Sequence, residues 1–247
     1  MSVQANLFYS PFFNSIMSTF KSTYHSKTYR DYKALDERAY RDMVRFYEER
    51  EDDIKALDFE EFFELLFVYV DALFEIGSYR KHLLLVDYVI ECSIKNNIKE
   101  LKGKDVFYHL LFRKAASLYN TLSYNKADYI LRELIRINPE KEEVSQFLKK
   151  CLRKMNPAII RHSRAASILL FFLAASIICV EVLFVRPFVN ELTPTVELSR
   201  NLIFGFGCLV LMAGALIHRW QIDREVNAFV QATIERKEIN NSPVSIS

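Results

Sequence analysis

Residues 166–185 read ASILLFFLAASIICVEVLFV, an apolar run with one charge, Glu181. A helix rising about 1.5 Å per residue needs about twenty apolar residues to cross a hydrocarbon core of about 30 Å, so this run predicts a membrane span. After a polar break come sixteen uncharged residues, 202–217, reading LIFGFGCLVLMAGALI. They are short for a span unless Asn201 and His218 lie among the headgroups. Together the runs predict a transmembrane hairpin, with spans at about 165–185 and 201–218. The remainder is polar enough to fold in water, and residues 31–156 are long enough to bury a core of their own.

The basic residues around the hairpin predict its orientation. Lys149, Lys150, Arg153, Lys154, Arg161 and Arg164 precede the first run, and Arg219 and Arg224 follow the second. Between the runs, Arg186 and Arg200 are offset by Glu191 and Glu197. By the positive-inside rule both flanks are cytoplasmic and the connector lies across the membrane. The first six thus read as topology determinants, with an anionic-lipid contact as the sharper alternative. Residues 1–20 lack the basic start and continuous apolar run of a secretory signal, in keeping with a cytoplasmic N-terminus. A bacterial inner membrane is the simplest setting. The net charge of +2 supplies no one-signed field for a phosphate backbone, so no nucleic acid is expected as partner.

Periodicity predicts helices throughout. Residues 1–30 form an N-terminal segment, partly ordered, with a short helix after Pro11. Tyr32, Leu35, Ala39, Met43, Phe46 and Tyr47 mark an amphipathic helix. Asp58 and Glu61 have the spacing of a capping box before a largely apolar helix over 59–76, broken at Gly77 and Ser78. Helices over 79–96, 105–120 and 124–137 follow, the last stopped by Pro139, and 140–155 reads as a capping helix. Residues 219–247 are expected to continue as a helix and a flexible tail. With no credible strand run, the fold class is all-α.

Sliding the chain by forty-five residues places Leu66 on Leu111, Leu73 on Leu118, Tyr79 on Tyr124, Val86 on Leu131 and Val89 on Leu134. Ala127 and Pro139 fall where a small residue and a terminating proline recur in one helix-turn-helix unit. On these residues the stretch 63–140 resembles the tetratricopeptide repeat. It departs from that pattern at His82, where a small residue is usual, and at Lys114, where an apolar one is. The resemblance implies stacked helix pairs with a concave face for a peptide or partner helix. Tyr69, Tyr108, Tyr119 and Tyr124 are the partner-contact candidates, with core packing as their other reading.

Signatures of catalysis are missing: there is no HExxH, no GxSxG and no phosphate-binding loop. The four cysteines have no metal or redox spacing, so no enzyme activity, metal or cofactor is expected. Glu181 is the functional suspicion in the membrane, since a carboxylate in hydrocarbon must face protein, water or the interface. Gly205, Gly207 and Gly214 give a low-profile strip for helix packing, matched to Ala174, Ala175 and Ser176 within the hairpin, or used for homo-oligomerisation. The expectation is a membrane-anchored adaptor or scaffold presenting a helical domain to a protein partner. The alternative is a subunit of a membrane transport or secretion complex whose hairpin is the working element.

Overall fold

A computed structural model describes residues 26–155, 158–185 and 193–241. The short helix expected after Pro11, Arg186 of the connector and the end of the tail lie outside the described residues. By internal contacts the chain divides into two compact units, 1–76 and 77–247, a division inside the stretch read as one helical domain.

The first unit contains α1 (Lys27–Lys33), α2 (Tyr40–Glu49), α3 (Glu51–Lys55) and α4 (Phe59–Glu75). Its core is aromatic. Tyr32 meets Phe46 edge-on at 5.4 Å, and Tyr47 stacks on Tyr69 at 4.0 Å between ring centroids. Phe63, Leu65, Val70 and Leu73 fill the buried face of α4. The predicted capping box does not form, because Asp58 makes no side-chain cap bond. Glu61 instead accepts the backbone N–H of Ser26 at 3.1 Å, and Glu64 accepts from Tyr29 and Lys33. The acidic first turns of α4 thereby hold α1 in place.

The second unit opens with α5 (Tyr79–Lys95), α6 (Val106–Asn120), α7 (Tyr124–Ile137) and α8 (Glu142–Met155), each packed on the next. Asp105 caps α6 by accepting the N–H of Tyr108 at 2.8 Å. Between α5 and α6 the polar connection forms a small antiparallel ladder of β1 (Glu100–Leu101) and β2 (Lys104–Asp105), turned through Lys102 and Gly103 at positive φ. No strand was expected there, and a ladder this short leaves the all-α class unchanged. His82 occupies the position of the usual small residue by setting Nδ1 3.0 Å from Ser117 Oγ in the α5–α6 interface. Lys114 reaches Asp87 across the same interface at 2.5 Å.

From α8 the chain enters α9 (Ala158–Val180), which ends in a π-helical turn, Glu181–Val185. It returns in α10 (Thr193–Asn241), one helix of 49 residues, about 73 Å long at the usual rise. This helix outlasts the apolar run that announced it. Ile222 and Val226 are buried in a core with Leu131, Leu134, Val144, Leu148 and Leu152 from α7 and α8. Glu225 binds Arg132 at 2.8 Å, and Lys237 donates to the terminal carbonyl of α7, Ile137, at 2.6 Å.

Candidate functional site

The antiparallel pair α9 and α10 has a seam that its sequence dictates. On α9 the buried or half-buried positions are Ser163, Ser167, Leu170, Phe171, Ala174, Ile177 and Glu181, spaced three or four apart as one helical face. On α10 they include Gly207, Gly214 and His218. A Cβ on Gly214 would lie 2.4 Å from Ser163 Cβ, and one on Gly207 would lie 2.8 Å from the Phe171 ring. Glycine is therefore required at both for the backbones to approach this closely. Ser167 Oγ donates to the Gly207 carbonyl at 3.0 Å, tying the two helices together.

Gly205 is not part of this seam. It is exposed with nothing within 4 Å of a Cβ built there, because two residues from Gly207 along a helix is a turn of roughly 200°. Of the expected mates, Ala174 is buried in the seam, whereas Ala175 and Ser176 face outward and Ser163 and Ser167 take their place. That substitution follows from the helical period, which brings the residue four before or after a buried position to the same face.

Glu181 is fully buried at the far end of the seam, where its Oε2 accepts from Arg200 Nη1 at 2.9 Å. A buried carboxylate beside a guanidinium is charge-matched, and the π turn beginning at Glu181 directs it toward α10 rather than outward. Trp220 follows Arg200 by twenty positions along α10, about 30 Å of helix. The ion pair thus stands one hydrocarbon thickness from the chain's single tryptophan.

Outside the seam the character reverses. Ile168, Leu169, Phe172, Leu173, Ile178, Val180, Leu202, Phe204, Phe206, Leu209, Met212 and Leu216 are all exposed. Most of the large apolar side chains thus face outward, while Ser167, Glu181 and His218 are buried in the seam beside Leu170, Phe171 and Ile177, an arrangement unlike that of a helix pair built for water. At the end where α9 meets α8, Lys150, Lys154, Arg161, Arg164, Arg219, Arg224 and Trp220 are exposed, while Lys149 and Arg153 approach Asp223 at 3.8 and 3.6 Å. Both basic flanks lie at one end of the hairpin, because α8 and α10 pack together there.

The four candidate tyrosines are engaged within their own units. Tyr69 is buried under Tyr47 with its hydroxyl on Glu48 at 3.1 Å, which pushes that hydroxyl's pKa up by burial and by the adjacent carboxylate. Tyr108 carries Lys141 over its ring at 3.6 Å, and burial, then Glu143 and Asp105, push its pKa up to about 12. Tyr119 lies edge-on between Tyr124, 5.3 Å away, and Phe147, 5.4 Å away. Tyr69 is buried, and Tyr108, Tyr119 and Tyr124 are half-buried. The large apolar side chains left exposed on α5, on α7 and in the turn between α6 and α7 are Leu84, Ile94, Leu122, Tyr129 and Ile137, none of which the sequence reading named as a partner contact. Their signal was present as apolar residues off the buried face of each helix.

Fold and seam define an all-α protein with two helices long and apolar enough to cross a membrane, covering residues 160–183 and 195–240. Compared with protein-family models, with curated proteins and with solved structures, the chain matches none.

Proposed function

We propose that this chain is a membrane-anchored protein-protein interaction protein, in which the α9–α10 hairpin crosses a bilayer and the helical region at its basic end presents a surface to a protein partner. The observation that carries the reading is the hairpin, with Ser167, Glu181 and His218 buried in its seam and most of its large apolar side chains exposed outside, whose second helix runs on into the core formed with α7 and α8. An anchor joined to its cargo by one unbroken helix holds that cargo at a fixed height above the lipid. By the positive-inside rule the helical region is on the cytoplasmic side, as in a bacterial inner membrane.

The tetratricopeptide-like reading is supported by the turns. Gly77 and Ser78, between α4 and α5, have φ of +80 and −77°. Leu122 and Ser123, forty-five residues on, have 62 and −86°, so the repeat shift carries one left-handed turn onto the other. On that reading the exposed Leu84 and Tyr129 belong to the partner surface.

Because Ile222 and Val226 belong to the same core as α7 and α8, cutting the chain at residue 156 would remove part of what is to be tested. The test therefore uses the full chain in mild detergent. Leu84→Asp with Tyr129→Asp is expected to abolish capture of the partner, while Glu181→Gln leaves it intact. Loss with Glu181→Gln alone would favour the second reading, a transport or secretion subunit, which the buried Glu181–Arg200 pair motivates. Release of the chain from membranes by a carbonate wash would overturn both.

A further inference from the structure

The cations at the basic end of the hairpin are set apart by what surrounds them. Lys154, Arg161, Arg164, Arg219 and Arg224 are exposed on three helices, and none has a carboxylate partner among the described residues. No acidic residue occurs between Glu143 and Glu181, or between Glu197 and Asp223, and Asp223 is already approached by Lys149 and Arg153. At the opposite end Arg200 is neutralised by Glu181. The chain thus pairs Arg200 at one end of the hairpin, while at the other its acidic residues are taken up by Lys149, Arg153 and Arg132 rather than by these five.

Five like charges beside a low-dielectric slab repel one another more strongly than they would in water, and the field favours an anion drawn from outside the chain. Four of the five are arginine, whose planar fork matches a phosphate through paired hydrogen bonds. Long stems let arginines one or two turns apart in depth reach a common plane. Directly beside these cations the surface turns apolar, with Ile168 and Leu169 on α9 and Leu216 and Ile217 on α10 all exposed. A ligand carrying both a phosphate and acyl chains meets both surfaces; a soluble phosphate meets only one. Trp220, 62% exposed with Arg224 5.4 Å from its ring centre, stands at the same level, where amphipathic rings settle at a membrane–water boundary.

We propose that this collar binds the phosphate headgroups of anionic phospholipids, with their acyl chains lying along the outer faces of α9 and α10. The inference rests on the membrane reading above and adds a lipid preference to it.

Trp220 is the only tryptophan, so its fluorescence reports on the collar alone. The full chain is reconstituted into phosphatidylcholine vesicles containing a minor, equal fraction of either brominated phosphatidylglycerol or brominated phosphatidylcholine. Quenching by the brominated phosphatidylglycerol is expected to be several-fold the stronger, to weaken as sodium chloride is raised, and to be unchanged when inorganic phosphate replaces chloride at constant ionic strength. The triple variant Lys154→Gln, Arg161→Gln, Arg164→Gln keeps Arg219 and Arg224 beside Trp220 and should bring the quenching by the two lipids close to equal. Equal quenching by the two lipids in the wild-type chain would overturn the proposal while leaving the anchor intact, and competition by inorganic phosphate would point to a soluble anion instead. A chain that fails to remain in the vesicles after a carbonate wash would remove the membrane reading itself.

Discussion

Gly214 and Gly205 look alike in the sequence and are opposite in the fold. Gly214 to Gly207 is seven residues, two turns, so both face α9, whereas Gly205 is out of phase with them. Gly214→Val is expected to destabilise the hairpin by about 1–3 kcal/mol, because Ser163 cannot withdraw without moving α9. Gly205→Val should leave the thermal midpoint in detergent unchanged, and circular dichroism melts of the two variants check the contrast. Cys151 gives the second core its sensitivity to alkali through a buried thiol. Burial, then the charge of Asp128, pushes its thiol up to about 11, while its Sγ–H donates to the Tyr124 carbonyl at 3.4 Å. A raised pKa means that the neutral thiol's contribution is whole below the unfolded value near 9 and is lost as pH climbs through about 11. Urea midpoints should fall across that window in the wild-type chain, and fall less steeply in Cys151→Ala. The inward turn of Glu181 could be suspected from sequence, since its charge demanded a partner. That the partner is Arg200 depended on the stagger of two helices, which no local pattern encodes.

Among the elements, α10 departs furthest from its sequence signature. Hydropathy registers only the part with apolar residues on every side, whereas residues 219–241 are amphipathic and continue the same helix into the core at its basic end. Ile222→Ala should cost about 2–5 kcal/mol by opening a cavity against α7 and α8. Amide exchange in those two helices should accelerate with it, although neither contains the substitution. The turn after α6 carries strain that can be relieved. Leu122 is 72% exposed and has φ of 62°, a left-handed conformation at the end of a helix where glycine is usual. Leu122→Gly loses no packing and should stabilise the fold by about 0.5–1 kcal/mol, the steric relief exceeding glycine's added unfolded-state entropy; a thermal melt reads the sign. Helix positions were legible from period and punctuation. The capping box was not, because Glu61 had a choice between its own helix and the distant N–H of Ser26, and only tertiary structure decides such competitions.

For the molecule as a whole, two oppositely directed helices joined at one end make a prediction about sides. In a background without the four native cysteines, Arg161→Cys and Arg224→Cys should react together with a lipid-impermeant maleimide. Leu198→Cys, exposed beyond the opposite end, should react only when the other face of the membrane is opened. The apolar runs made the hairpin plain in the sequence. The division at residue 76 was not, since the link between α4 and α5 has the same local form as the link between α6 and α7. One consequence of α10 being unbroken concerns phase. Gly214 must meet Ser163 and Ile222 must meet the α7–α8 core, only eight residues later. Adding a single residue between them would rotate everything downstream by about 100°, and only a two-turn insertion of seven, about 10 Å, would restore the facing. On the membrane reading proposed above, the junction admits no small insertion, so a thicker bilayer would be met by local thinning of the lipid or by snorkelling of the flanking cations, and a thinner one by tilting.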